Sequence, residues 1–132
     1  VCALPRGHVL AGRATITPAD LADAPLIAGA RSLFQDRVEA AFAGAGITPR
    51  IAFTAQYTAA RCALVAEGLG IAIVDPLPAR TLAGLPIVLR PFRPRLPIET
   101  VMIHPAGRPP GRITERLMEH LRAQRDALSD AP

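Results

Sequence analysis

An α/β fold with a parallel-rich sheet follows from three features of the chain. First, residues 44–76, GAGITPRIAFTAQYTAARCALVAEGLGIAIVDP, read as helix end, strand, helix, glycine stop and buried strand. That is a βαβ unit, which needs a crossover helix between parallel strands. Second, Ile71 to Val74 is an unbroken apolar run, as in a strand covered on both faces. Third, the polar groups of the segment (Gln56, Tyr57, Thr58 and Asp75) gather at strand and helix ends. Open α/β sheets bind ligands beyond the carboxyl ends of their strands. With no catalytic constellation in it, the segment reads as built to hold a molecule rather than transform one.

The remaining elements follow in order. Val1 to Leu4 is a short apolar strand, and Pro5-Arg6-Gly7-His8 is a turn. Thr17-Pro18-Ala19-Asp20 opens a helix, with Thr as N-cap, Pro at the first position and Asp complementing the dipole. Ala24-Pro25 keeps that helix short. Leu26 to Ala28 is a strand and Gly29 to Ser32 a loop. Leu33 to Ala43 is an amphipathic helix whose face is Phe34, Val38, Ala41, Phe42 and Ala45. Gly44 or Gly46 ends it. In Arg50 to Ala55, residues Ile51, Phe53 and Ala55 alternate onto one face. The next helix starts near Thr58 and stops at Gly68. A helical turn is expected over Leu77 to Leu82, and strands over Ile87 to Leu89 and Ile98 to Ile103. A last helix begins near Gly111, with an apolar stripe of Ile113, Leu117, Leu121 and Leu128 flanked by arginines. The terminal SDAP should fray.

Composition narrows the function classes. The chain has 132 residues, half of them hydrophobic and 4% aromatic, so Leu, Ile, Val and Ala must form the core. No apolar run reaches the roughly 20 residues that span a membrane. The opening VCALPRGH lacks a signal-peptide pattern, which points to the cytoplasm. All 15 basic residues are Arg and the net charge is +4. These arginines are scattered without interleaved aromatics, so usage rather than nucleic-acid contact accounts for them. Cys2 and Cys62 fit no metal spacing, and Cys62 sits among apolar helix residues as a small buried hydrophobe.

Each candidate motif has a plain structural reading beside its functional one. Gly68-Leu69-Gly70 closes a helix and opens a strand, the reverse of a dinucleotide loop, so it is a C-cap. His8, His104 and His120 are isolated, and no nucleophile motif is present, so an enzyme is not expected. Asp75 either fixes the turn before Leu77 or offers a counter-charge to a ligand ammonium. Thr58 is an N-cap whose helix amides could also accept a carboxylate. Arg31 either pairs with a carboxylate or reaches solvent.

The order of these pieces resembles the effector-binding domain of LysR-type transcriptional regulators. ALPRGHVLAGR, ADLADAPLI, GITPRIAF and LVAEGLGIAIVDP carry the resemblance across nearly the whole chain, with Val9 departing from a frequent proline. IVDP, VLRPFRP and IETVMIHP further resemble the branch responding to basic amino acids and opines. The resemblance implies a type 2 periplasmic-binding-protein-like fold of two α/β lobes with a small effector between them. It implies that residues 1–9 are a crossing strand and turn, 10–75 effector-binding lobe II, and 76–128 the C-terminal part of an incomplete lobe I. Residues 129–132 would be a frayed tail. It also implies a chain without the winged helix-turn-helix, so that DNA is contacted only through a domain absent here, in a homo-oligomeric full-length protein. The effector wall would be Gly29, Arg31, Ser32, Gln56, Thr58 and Asp75, with no metal, cofactor or membrane partner. The rival expectations are a transport-type solute-binding protein and a small α/β enzyme.

Overall fold

The computed structural model describes residues 1–82, 84–99, 101, 103, 107 and 110–129, and of 126–129 the backbone alone. The chain divides into two compact units, Val1–Ile98 and Glu99–Pro132.

In the first unit the strands are β1 (Cys2–Pro5), β2 (Pro25–Ala28), β3 (Arg50–Thr54), β4 (Ala72–Ile73) and β5 (Ile87–Arg90). The helices are α1 (Leu33–Gly44), α2 (Thr58–Ala66) and α3 (Pro76–Arg80), with short 3-10 turns at Val9–Gly12 and Pro18–Leu21. β2 and β3 pair in parallel, while β1 lies antiparallel between β4 and β5. A parallel bridge between Leu26 and Ile71 joins the two groups, giving the order β3-β2-β4-β1-β5. Ile71 donates its N–H to Pro25 O at 2.9 Å, and Ile27 donates to Ile71 O at 2.8 Å. The run Ile71 to Val74 is therefore interior and parallel to β2, as its unbroken apolarity requires.

Side-chain alternation divides the core into two layers. Cys2, Leu4, Leu26, Ile71 and Ile73 pack on one face with Val38 and Phe42 of α1 and with Ile16, Leu21 and Phe92. Ala3, Ile27, Ala72 and Val74 pack on the other with Cys62 and Val65 of α2 and Ala79 of α3. Phe42 and Phe92 stack at 6.4 Å. The sheet is thus sandwiched between α1 and the α2–α3 pair.

Local signals account for the element ends. Ser32 Oγ accepts from Gln35 N at 3.2 Å and caps α1. Gly46 and Gly68 hold positive φ (69° and 74°), the left-handed turn that stops a helix. Thr17 and Asp20 form a reciprocal capping box, with Asp20 Oδ2 accepting from both Thr17 N and Thr17 Oγ1 at 2.8 Å. Those bonds from Thr17, aided by Arg13, lower the Asp20 carboxyl from its ordinary value.

The first compact unit runs past Asp75 to Ile98, because β5 pairs with β1 along its whole length. Several expectations are corrected. β3 buries no face: Ile51 and Phe53 are 47% and 43% exposed because the strand lies at an edge. A register shift pairs these two residues with the successive Leu26 and Ile27, breaking the expected one-sided alternation. On α1, Ala45 is exposed and Gln35 is buried in its stead. The N-cap of α2 is Tyr57 rather than Thr58.

The second unit contains α4 (Arg112–Ser129), where Ile113, Leu117 and Leu121 are exposed. The side chain of Leu128 and residues 130–132 of the terminal SDAP lie outside the described residues. Of the strand expected over Ile98 to Ile103, residues 98, 99, 101 and 103 carry no strand geometry, and Thr100 and Met102 lie outside the described residues.

Gly70 is the tightest position of the sheet. A Cβ there would lie 2.6 Å from Pro25 O and 3.2 Å from Ile27 Cγ1. Gly70→Ala should therefore destabilise the domain by about 1–3 kcal/mol, since backbone must shift. Gly44→Ala, with nothing within 4 Å, should instead stabilise by roughly 0.5–1 kcal/mol. Urea midpoints of the two variants, moving in opposite directions, are the check.

Candidate functional site

The parallel strands β2, β3 and β4 end at the same sheet edge, and the segments that follow them, loops and the first residue of α2, carry all six expected site residues. Gly29, Arg31 and Ser32 follow β2, Gln56 and Thr58 follow β3, and Asp75 follows β4. Their roles differ. Ser32 caps α1, as described. Asp75 Oδ1 accepts from Leu77 N at 2.9 Å and caps α3, which is its turn-fixing role; its residue is only half-buried. Arg31 and Gln56 are exposed. Arg31 has no hydrogen bond or ion pair among the described residues, in keeping with a solvated side chain.

Gly29 is enclosed. Its N–H donates to Gln35 Oε1 at 2.8 Å, and Gln35 Nε2 donates to Glu39 Oε1 at 3.1 Å. A Cβ on Gly29 would lie 3.0 Å from Gln35 Oε1 and 3.3 Å from Arg61 Nη1. The absent side chain thus leaves room for a guanidinium beside the loop.

That guanidinium, absent from the expected set, is the principal polar group of the region. Arg61 is 6% exposed and lies in the first turn of α2. Its Nη1 donates to Ile73 O at 2.9 Å, and its Nη2 lies 3.4 Å from Thr58 Oγ1 as a weak donor. Nε is buried with no partner. Burial lowers the Arg61 pKa from its ordinary value, opposed by the negative potential of Cys62 and Asp75. A guanidinium remains charged regardless. One sequence signal could have found it: at the spacing of Arg61, Cys62 and Val65, arginine shares the buried face of its helix.

No group of three His, Cys, Asp or Glu side chains among the described residues could hold a metal. No described helix is long and apolar enough to cross a membrane. An apolar cavity of about 260 Å³ lies between α1 and the sheet, lined by Val38, Phe42, Ile51 and Ile71 among others. It lies by the edge strand β3, and its lining also includes Gln35 and Glu39. Both thiols are free and buried, and burial raises both pKa values, Cys2 to about 12. Raised thiols are poor nucleophiles at neutral pH.

The chain matches the LysR substrate binding domain family over residues 1–126. It belongs to that family. Among its relatives, the regulatory protein NocR of Agrobacterium tumefaciens (strain T37) is 32% identical over 133 residues, covering 100% of this chain and 43% of NocR. The transcriptional activator protein LysR of Escherichia coli K12 is 31% identical over 124 residues, covering 93% of this chain and 40% of LysR. The chain therefore spans about two fifths of the length of these relatives. The fold matches the regulatory domain of Synechocystis PCC6803 CcmR, solved in complex with 2-PG, with a TM-score of 0.68 and 20% identity. That likeness covers 93% of this chain and 61% of the CcmR chain. The architecture is accordingly that of a LysR effector-binding domain, a type 2 periplasmic-binding-protein-like fold. Family membership sets the chain among the LysR substrate-binding domains.

The buried thiol of Cys2 has a consequence for stability. Its folded pKa of about 12 exceeds the ordinary value of 9.0, so between these pH values the folded state holds a proton that the unfolded state has released. Stability should fall as pH rises above about 9, by up to about 1.4 kcal/mol per pH unit, flattening near pH 12. Chemical denaturation across that range should show the slope, and Cys2→Ala should lessen it.

Proposed function

We propose that this chain forms one wall of the effector site of a LysR-type transcriptional regulator. Its ligand is a small polar metabolite such as an amino acid or a related compound. The observation that carries this reading is the convergence of Gly29, Thr58, Arg61 and Asp75 at the carboxyl edge of β2, β3 and β4. That edge is where parallel sheets take ligands. Arg61 and Asp75 bring opposite charges to it. Arg31, Ser32 and Gln56 complete the wall, with Gln56 as a neutral hydrogen-bonding group on the rim.

The family relation supports the regulatory role: its relatives NocR and LysR are a regulatory protein and a transcriptional activator protein. The CcmR regulatory domain is a ligand-bound example of the same fold. In the full regulator, a cytoplasmic homo-oligomer, effector binding shifts the balance between two subunit arrangements, and a separate DNA-binding domain reads it out. Residues 10–75 belong to effector-binding lobe II and residues 76–128 to the C-terminal part of lobe I. The domain performs no catalysis and uses no cofactor.

Amide spectra of the 15N-labelled chain, recorded against a panel of amino acids and small organic acids, test the proposal. A true effector should give saturable shifts clustered at Gly29, Gln56, Thr58 and Asp75. Saturable shifts centred on β5 or α4, with this cluster unmoved, would overturn it.

A further inference from the structure

Resting on the effector-site reading, we propose that Arg61 and the N-terminus of α2 together receive a carboxylate group of the ligand. Positive charge at this helix end is uncompensated. The first turn of a helix carries a partial positive charge from its unpaired amides. Proteins commonly offset it with a capping side chain or an acidic residue. α2 has neither. Tyr57 makes no side-chain cap, and the first turn contains no acid.

That same turn carries a full positive charge, buried. Arginine at a helix N-terminus adds to the dipole's charge rather than offsetting it. A buried charge is tolerated when paired and hydrogen-bonded. Arg61 has one sound hydrogen bond, to Ile73 O, and no ion pair among the described residues. Its Nε has no partner at all. The guanidinium presents five N–H donors, of which the bonds to Ile73 and Thr58 occupy two.

The surroundings hold the group in place rather than neutralise it. Gly29 leaves it room, and the Gly29 loop is itself pinned by Gln35. The nearest influential carboxylate is Asp75, which is engaged in capping α3. An anion arriving between the α2 amides and Arg61 would complete both sets of donors. A carboxylate suits a planar guanidinium fork through paired N–H···O bonds. If the ligand also bears an ammonium, the carboxylate of Asp75 at the same edge is the group to receive it.

The direct test uses the 15N-labelled full chain and follows arginine side-chain Nε–Hε signals, with that of Arg61 assigned by its loss in Arg61→Gln. The probes are sodium acetate and glycine, with acetamide and sodium chloride as controls. The expected result is a saturable shift of the Arg61 Nε–Hε signal and of the Thr58 to Ala60 amides with acetate and glycine, and none with the controls. Affinity for acetate should be millimolar and should weaken by about tenfold or more in Arg61→Gln. Arg61→Lys, which keeps the charge, should recover part of the binding if the variant's amide spectrum shows an intact fold. Tighter binding of glycine than of acetate, abolished by Asp75→Asn, would identify an amino acid rather than a simple organic acid. Failure of both acetate and glycine to move Arg61 would overturn this inference. If a panel metabolite still shifted Gly29, Gln56 and Thr58 while leaving Arg61 Nε unmoved, the effector site would stand and only the role of Arg61 would fall.

Discussion

The sheet depends on the close contact between β2 and β4. Two hydrogen bonds through Ile71 join a parallel pair to an antiparallel trio. The contact exists because Gly70 lets one backbone approach another within a distance that any side chain would forbid. From this joint the rest follows. It fixes which faces Leu26 and Ile27 present, and therefore which core layer each helix serves. It also aligns the carboxyl ends of β2, β3 and β4 on one edge, bringing loops distant in sequence to a common site.

That edge is electrostatically unusual for a domain so rich in arginine. Arg37 and Arg90 donate to the backbone carbonyls of Pro97 and Ala11, and Arg13 pairs with Asp20 at 2.9 Å. Arg61 alone among the described arginines is buried, and it is buried without a carboxylate. Stability alone does not favour such an arrangement, since an apolar residue beside Cys62 and Val65 would carry no desolvation cost. A site that must attract an anion has a reason to keep it.

Much of this was legible in the sequence, and the reasons are local. Ser32, the Thr17-Pro18 start and the glycines at 46 and 68 mark element ends through backbone chemistry, which short-range sequence encodes. The run Ile71 to Val74 announces an interior strand because both faces of its strand are covered. What was not legible depends on long-range partners. The pairing of β5 with β1 carries the first compact unit on to Ile98, and nothing in the proline-rich stretch signals it. The edge position of β3 leaves Ile51 and Phe53 half-exposed despite a good alternation. Arg61 was hidden by composition: among 15 arginines spread through the chain, each looked like solvated surface. Helical phase singles it out only once the buried face of α2 is defined by its neighbours.

The placement of β1 has a kinetic consequence. Both partners of this strand lie far along the sequence from it, at Ala72–Ile73 and Ile87–Arg90. As the chain leaves the ribosome, β2, α1 and β3 can assemble from neighbouring sequence, but Cys2, Ala3 and Leu4 must wait for β4 and β5. Closing contacts across so much chain is entropically slow. The middle of the sheet is therefore the last part to fill. Until it does, the β2–β3 pair offers an unfinished edge and the waiting apolar strand a ready match for it.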